Sequence, residues 1–173
     1  MNLNIGSSSI SGVYRGEDWI NLDMVWAKGV DIIGDGTMLP FDDDSFEEIH
    51  CFHVLEHVKR DKYNTMLSEM FRVLRYEGTV IIEVPDFEGT VQKLKNAFDR
   101  QDDREIHIWT TSTYGKNERD GMAHYWGFHN RLLKQSMEGV GFEDVERLTG
   151  NQLLPATHVK QEPVLCLKGR KFW

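Results

Sequence analysis

Basic residues are almost missing from the first fifty positions: Arg15 and Lys28 stand against ten acids, among them Asp23, Asp35 and Asp42-Asp43-Asp44. The chain's net charge of −8 therefore lies in that segment, and acids and bases balance over residues 51–173. Nucleic-acid affinity is largely neutralisation of phosphates, so this excess of acid argues against a nucleic-acid partner. Cysteine is also scarce. Cys51 and Cys166 form neither a ligand spacing nor a disulfide framework, which points to a reducing cytoplasm. No apolar run approaches the roughly 18 residues a membrane helix needs. Met1–Gly6 lacks the basic-then-apolar layout of a secretory leader. Two phosphate-binding signatures are absent as well. The first candidate loop, Gly6-Ser7-Ser8-Ser9-Ile10-Ser11-Gly12, is neither G-x-G-x-x-G nor a Walker-type loop.

What is present fits a single domain spanning residues 1–173, with 40 % hydrophobic and 11 % aromatic residues to build a core. Short apolar runs predict strands at Leu3–Ile5, Trp19–Leu22, Val30–Ile33, Glu48–Phe52 and Thr79–Val84, with two more at Phe142–Leu148 and Val164–Leu167. Helical spacing links Met66, Leu67, Met70, Phe71, Val73 and Leu74, with Gly78 placed to end that helix. It recurs over Phe87–Phe98 and Leu132–Val140. Alternating strands and helices require crossover connections, hence an α/β fold with a largely parallel sheet. The segment 101–127 is expected to be a long lid or substrate loop, with at most a turn of helix around Ile106–Trp109. It holds His107, Trp109, Tyr114, His124, Tyr125 and Trp126.

Ligands of open parallel sheets bind beyond the carboxyl ends of the strands, where strand order reverses. Gly6 ends the first strand and permits a sharp turn, and Ser7 follows with a hydroxyl and an amide. Asp23 ends the second strand, where a carboxylate can accept both hydroxyls of a ribose. Asp35 follows the third, where it can accept from an adenine amine. Phe52 and His53 close the fourth. With no phosphate cradle and a surplus of acid, an adenosine cofactor that is cationic and phosphate-free suits these ends. S-adenosyl-L-methionine meets that description.

Residue strings in the same order resemble the class I S-adenosylmethionine-dependent methyltransferases, in particular a small bacterial and phage type often encoded near sugar-modifying genes. They are Leu3-Asn4-Ile5-Gly6, Trp19-Ile20-Asn21-Leu22-Asp23, Asp35-Gly36-Thr37-Met38-Leu39-Pro40-Phe41, His53-Val54-Leu55-Glu56-His57, Val84-Pro85-Asp86 and His124-Tyr125-Trp126-Gly127-Phe128. The resemblance implies a Rossmann-like three-layer sandwich, with a seven-stranded, mostly parallel sheet whose last strand is antiparallel. It implies that Gly6 and Ser7 face the methionine part, Asp23 the ribose, and Asp35, Gly36 and Thr37 the adenine. Phe52 and His53 would lie beside the transferred methyl. Ser8 stands where the family's first loop usually has its second glycine. Many relatives also place a helix ahead of the first strand. The 101–127 segment or a second subunit, making a homodimer, is expected to supply that cover here.

Methyl transfer asks the protein to position an acceptor and remove its proton. His57 and His124 are the candidate bases, because imidazole titrates near neutrality. The string His53–His57 also reads H-x-x-E-H, an inverted zinc-peptidase motif. Its first histidine, however, falls at the end of a strand. No third ligand can be assigned to a peptidase zinc site, and no metal is assigned; the segment also resembles some quinone-pathway methyltransferases that hold a divalent metal there, which leaves Glu56 and His57 as a secondary metal candidate. The expected reaction is transfer of a methyl group to O or N of a small molecule or sugar-like acceptor. The alternative is a binding module of the same fold that holds adenosyl ligands without catalysis.

Overall fold

The computed structural model describes residues 1–7, 18–115, 123–150 and 163–173. Seven strands form one sheet: β1 (Asn2–Ile5), β2 (Trp19–Asp23), β3 (Ile32–Ile33), β4 (Phe46–Phe52), β5 (Leu74–Pro85), β6 (Glu143–Leu148) and β7 (Val164–Arg170). Four helices flank it: α1 (Tyr63–Val73), α2 (Phe87–Asp99), α3 (Asp103–Tyr114) and α4 (Asn130–Val140). The sheet order is β3-β2-β1-β4-β5-β7-β6. Strands β1 to β5 pair in parallel, and β7 runs antiparallel to both β5 and β6. The expected architecture, a Rossmann-like sheet with an antiparallel last strand, is the one observed.

Alternation along each strand explains the layering. Leu3, Ile5, Ile49, Val80 and Ile82 share one face and pack with Met66, Leu67 and Met70 of α1 and Leu133 and Met137 of α4. Residues of opposite parity, Asn4, Asn21, His50 and Glu83, are buried and polar. They pair within the sheet where they can: Asn4 donates to Asn21 at 3.0 Å, and Asn21 to Asp31 at 3.0 Å.

Three expectations change. The third strand shortens to two residues. Gly78 does not end α1; the helix stops at Leu74, whose extended backbone already belongs to β5. Leu74 is fully buried and pairs with Phe46, so ladder formation ends the helix before any glycine is reached. At Gly78, a Cβ would lie 2.8 Å from the Arg75 carbonyl, so this glycine serves the tight entry into the strand. Within the segment 101–127, Asp103–Tyr114 form a helix, longer than the single turn expected. The Asp102 side chain accepts from the Glu105 amide at 3.0 Å, starting the three-turn α3, and Trp109 is buried on it. A helix with a mixed polar surface and a single buried aromatic carries little apolar periodicity, which is why its sequence reads as loop. The first helix, expected after Gly6, falls outside the described residues.

One charged knot ties the loop after β3 to α1. Arg72 donates to the carbonyls of Phe41 (2.8 Å) and Leu39 (3.1 Å) and pairs with Glu69 and Asp43, while Glu69 accepts from the Leu39 amide at 2.8 Å. Arg72→Ala is expected to cost on the order of 2 kcal/mol in urea unfolding, because it removes charge-assisted bonds and strands two carbonyls. The Arg72 hydrogen bonds hold the Glu69 carboxyl below its ordinary range, and they outweigh its partial desolvation. Its stabilisation is therefore present above the unfolded carboxylate pKa and is lost as pH falls through the lower folded value. Glu69→Gln should flatten that part of the acid-unfolding curve.

Candidate active site

The parallel register puts four strand ends on one edge. Ile5 stands opposite both Leu22 and Cys51, and Asp23 opposite Ile33. Gly6, Asp23, Asp35 and His53 thus follow β1, β2, β3 and β4 side by side, across the point where the chain leaves β1 in opposite directions. Gly6 has φ +83°, and a Cβ there would lie 2.1 Å from Val54 Cγ2. Ser7 is buried and its hydroxyl finds no hydrogen-bond partner among the described residues. Such an orphan at a strand end is the mark of a polar ligand site. Asp23 is half-exposed and accepts from the Val25 amide at 2.9 Å. Asp35 is exposed; its Oδ1 accepts from the amide and the hydroxyl of Thr37, both at 2.8 Å, so Thr37 organises the turn around it. Gly36 is buried against Met66, where a Cβ would lie 2.6 Å from Cε. Ser8 and Ser9 lie outside the described residues.

Past β4 the backbone is strained: His53 has φ +53°. Its ring is held between two buried carboxylates, Glu56 at 3.3 Å and Glu83 at 3.2 Å. Burial acts to lower its pKa, but the two carboxylates outweigh it and raise it to about 10. Burial likewise acts to raise Glu56, and His53, with smaller contributions from His57 and His124, overcomes it and keeps the carboxyl ionised. Phe52 departs from its expected setting. Its ring is buried with Ile81, Leu148 and Cys166 and stacks on His50 at 5.0 Å. Only its backbone is left to line the strand end.

His57 and His124 are 67 positions apart in sequence and meet at 4.9 Å between ring centroids. Sequence spacing contains no sign of this. His57 ends a short 3-10 turn, Leu55–His57. His124 is delivered by the segment after α3, which docks across the ends of β4 and β5. Tyr125 donates to the Glu56 carbonyl at 2.8 Å, and Phe87 donates to Phe128 at 2.9 Å. Glu56, His124 and Trp126 then line a cleft with Thr90 and Ser112, two residues the sequence did not single out. No helix carries both His53 and His57, so the inverted-peptidase geometry is absent from this turn.

Residues 19–82 match a family model described as a methyltransferase domain. That stretch is 64 of the 173 residues, and the sheet order around it is that of the class I methyltransferase fold. Solved structures agree in fold. A SAM-dependent methyltransferase from Archaeoglobus fulgidus superposes with a TM-score of 0.62 at 16 % identity, covering 98 % of this chain and 85 % of that one. A SAM-dependent methyltransferase from Thermotoga maritima, described as a possible histamine N-methyltransferase, gives 0.58 at 18 % identity over 98 % and 81 %. The 1,6-didemethyltoxoflavin-N1-methyltransferase of Burkholderia thailandensis, solved with 1,6-didemethyltoxoflavin and S-adenosylhomocysteine, gives 0.59 at 13 % over 99 % and 71 %. No curated protein sequence matches the chain. No described helix is long and apolar enough to cross a membrane.

S-adenosyl-L-methionine is the cofactor that this fold implies, and the strand ends fit it. The orphaned Ser7 hydroxyl, the tight Gly6 turn and carboxylates after β2 and β3 are the donor and acceptor types that an amino-acid group, a ribose and an adenine need.

Proposed function

We propose that this domain transfers a methyl group to an oxygen or nitrogen of a small, uncharged or sugar-like acceptor in the cytoplasm. The observation that carries the reading is the row of Gly6-Ser7, Asp23, Asp35-Gly36-Thr37 and His53 on four adjacent parallel strand ends. When bound, S-adenosylmethionine supplies a methyl group activated by its sulfonium charge. Ser7 holds the cofactor's carboxylate, and Gly6 lets the backbone come close. Asp23 accepts from the ribose hydroxyls, while Asp35 accepts from the adenine amine and the Gly36-Thr37 backbone borders that ring. The Phe52 backbone and His53 border the reacting end, where Glu56 and Glu83 keep the surroundings negative around a cationic centre.

The acceptor enters the cleft beside His124 and Trp126. His57 and His124 are the catalytic pair: their rings meet at 4.9 Å, His124 lines the cleft, and imidazole can take the acceptor's proton near neutrality.

Calorimetric titration with S-adenosylmethionine tests the cofactor reading first. Asp23→Ala is expected to weaken binding about 10- to 100-fold, the loss of a charge-assisted bidentate contact. Unchanged affinity would remove Asp23 from the ribose site. Tight binding without methyl transfer to any member of a broad sugar, amine and phenol panel would favour the non-catalytic binding module.

A further inference from the structure

One cluster in the cleft has more order than proton removal requires. Glu56, His57 and His124 each offer an atom able to ligate a metal, all within 4.8 Å of one another, and no other such group occurs among the described residues. Both imidazoles have their outer nitrogen occupied. His57 Nδ1 lies 3.0 Å from the Ala123 carbonyl, and His124 Nδ1 lies 2.9 Å from the Ser112 carbonyl. A carbonyl only accepts, so each Nδ1 carries the hydrogen that it donates. Metal-binding histidines are oriented in this way, with the outer N–H donated to a backbone carbonyl and the inner nitrogen left as ligand.

Glu56 completes the set. It is 2 % exposed, and neither carboxylate oxygen accepts a well-formed hydrogen bond from a described residue. Its closest cationic partner is His53 Nδ1 at 3.3 Å, and His57 Nε2 stands 3.9 Å from the same oxygen. One carboxylate and two imidazoles converging within 4.8 Å are a donor set that a divalent ion can bridge.

We propose that Glu56, His57 and His124 form a mononuclear site for a divalent transition-metal ion, zinc fitting best, with a fourth position open to the cleft. Two imidazoles and one carboxylate suit zinc better than magnesium or calcium, which favour all-oxygen sets. Ligands of a tetrahedral zinc site stand roughly 3.4 Å from one another, so binding draws the trio together by up to about 1 Å. The cleft that Glu56 and His124 line also holds the Thr90 and Ser112 hydroxyls and the Trp126 indole N–H. All three are buried and without a hydrogen-bond partner among the described residues, and all line the cleft. They orient a water or an acceptor group on the ion. In the proposed methyl transfer such an ion takes over the task assigned to the imidazoles, because it stabilises the deprotonated acceptor while the proton leaves to solvent.

The inference goes beyond methyl transfer and is read without cofactor or acceptor, so either reading can fail alone. Chelator-treated, desalted full-length protein is titrated with zinc by calorimetry and with cobalt(II) by visible absorption. One ion per chain is expected, with tetrahedral cobalt bands and a zinc-dependent rise in Tm. His57→Asn and His124→Asn keep a side-chain donor for the backbone carbonyl but remove the Nε2 ligand. Each should weaken zinc at least 100-fold, whereas the exposed His107→Asn should not change it. Their Tm without metal confirms that they fold; should an asparagine variant fail to fold, Glu56→Gln supplies the same test. No stoichiometric binding, or binding that survives the folded ligand variants, overturns the proposal.

Discussion

Replacing His124 by alanine is expected to lower turnover by ~10²–10⁴-fold while leaving S-adenosylmethionine affinity within about threefold. The split follows from position. His124 lines the cleft with Glu56 and touches the His57 ring, on a segment docked against the ends of β4 and β5, whereas the residues proposed for the cofactor follow β1, β2 and β3. The loss falls on turnover whether Nε2 receives the acceptor's proton or holds an ion that makes the acceptor acidic. His124→Asn separates chemistry from folding, since its amide can still donate to the Ser112 carbonyl that His124 Nδ1 now meets at 2.9 Å. An asparagine variant with normal turnover would remove His124 from the reaction. Equal loss of turnover and cofactor binding would make it a structural tether of the segment it sits on.

Gly6→Ala should destabilise the fold by about 2–4 kcal/mol and cost the protein its cofactor affinity. Two separable penalties act at this position. The backbone sits at φ +83°, where a side chain is strained, and the new Cβ would fall 2.1 Å from Val54 Cγ2. Val54→Ala in the same chain removes the second penalty and leaves the first. The double variant is therefore expected to recover part of the loss in chemical denaturation, and a double-mutant cycle measures how much. A Gly6→Ala protein of ordinary stability that binds S-adenosylmethionine normally would mean that the β1 turn tolerates a side chain and does not closely approach the cofactor.

The Gly6 turn and the Asp23 carboxylate were legible before any coordinates because each is local. A strand of alternating apolar residues ended by glycine or aspartate exposes its role within a few positions, and parallel pairing only has to bring such ends together. The short β3 was harder to read, since a two-residue strand such as Ile32–Ile33 is defined by its neighbour β2 and not by its own pattern. Helix α3 escaped detection for a related reason. Its start is a capping aspartate at Asp102, and its one deeply buried aromatic, Trp109, gives no stripe to recognise. Phe52 illustrates the opposite error. A strand-end aromatic beside a candidate histidine looked available to a ligand, but alternation along β4 turns its ring into the cluster with Ile81, Leu148 and Cys166.

The sequence by itself determined the class of fold, the glycine and acids at the strand ends and the sign of the charge there, because strand periodicity, terminal glycines and acid content are properties of neighbouring residues. Tertiary structure alone decided which candidate groups stand together. His57 and His124 meet only because the Ala123–Phe128 segment bonds to Glu56 and Phe87, and the same contacts orient both imidazoles and add Thr90, Ser112 and Trp126 to the cleft. Long-range closure of this kind leaves no trace in spacing, since its geometry is set by where α3 and the ends of β4 and β5 pack.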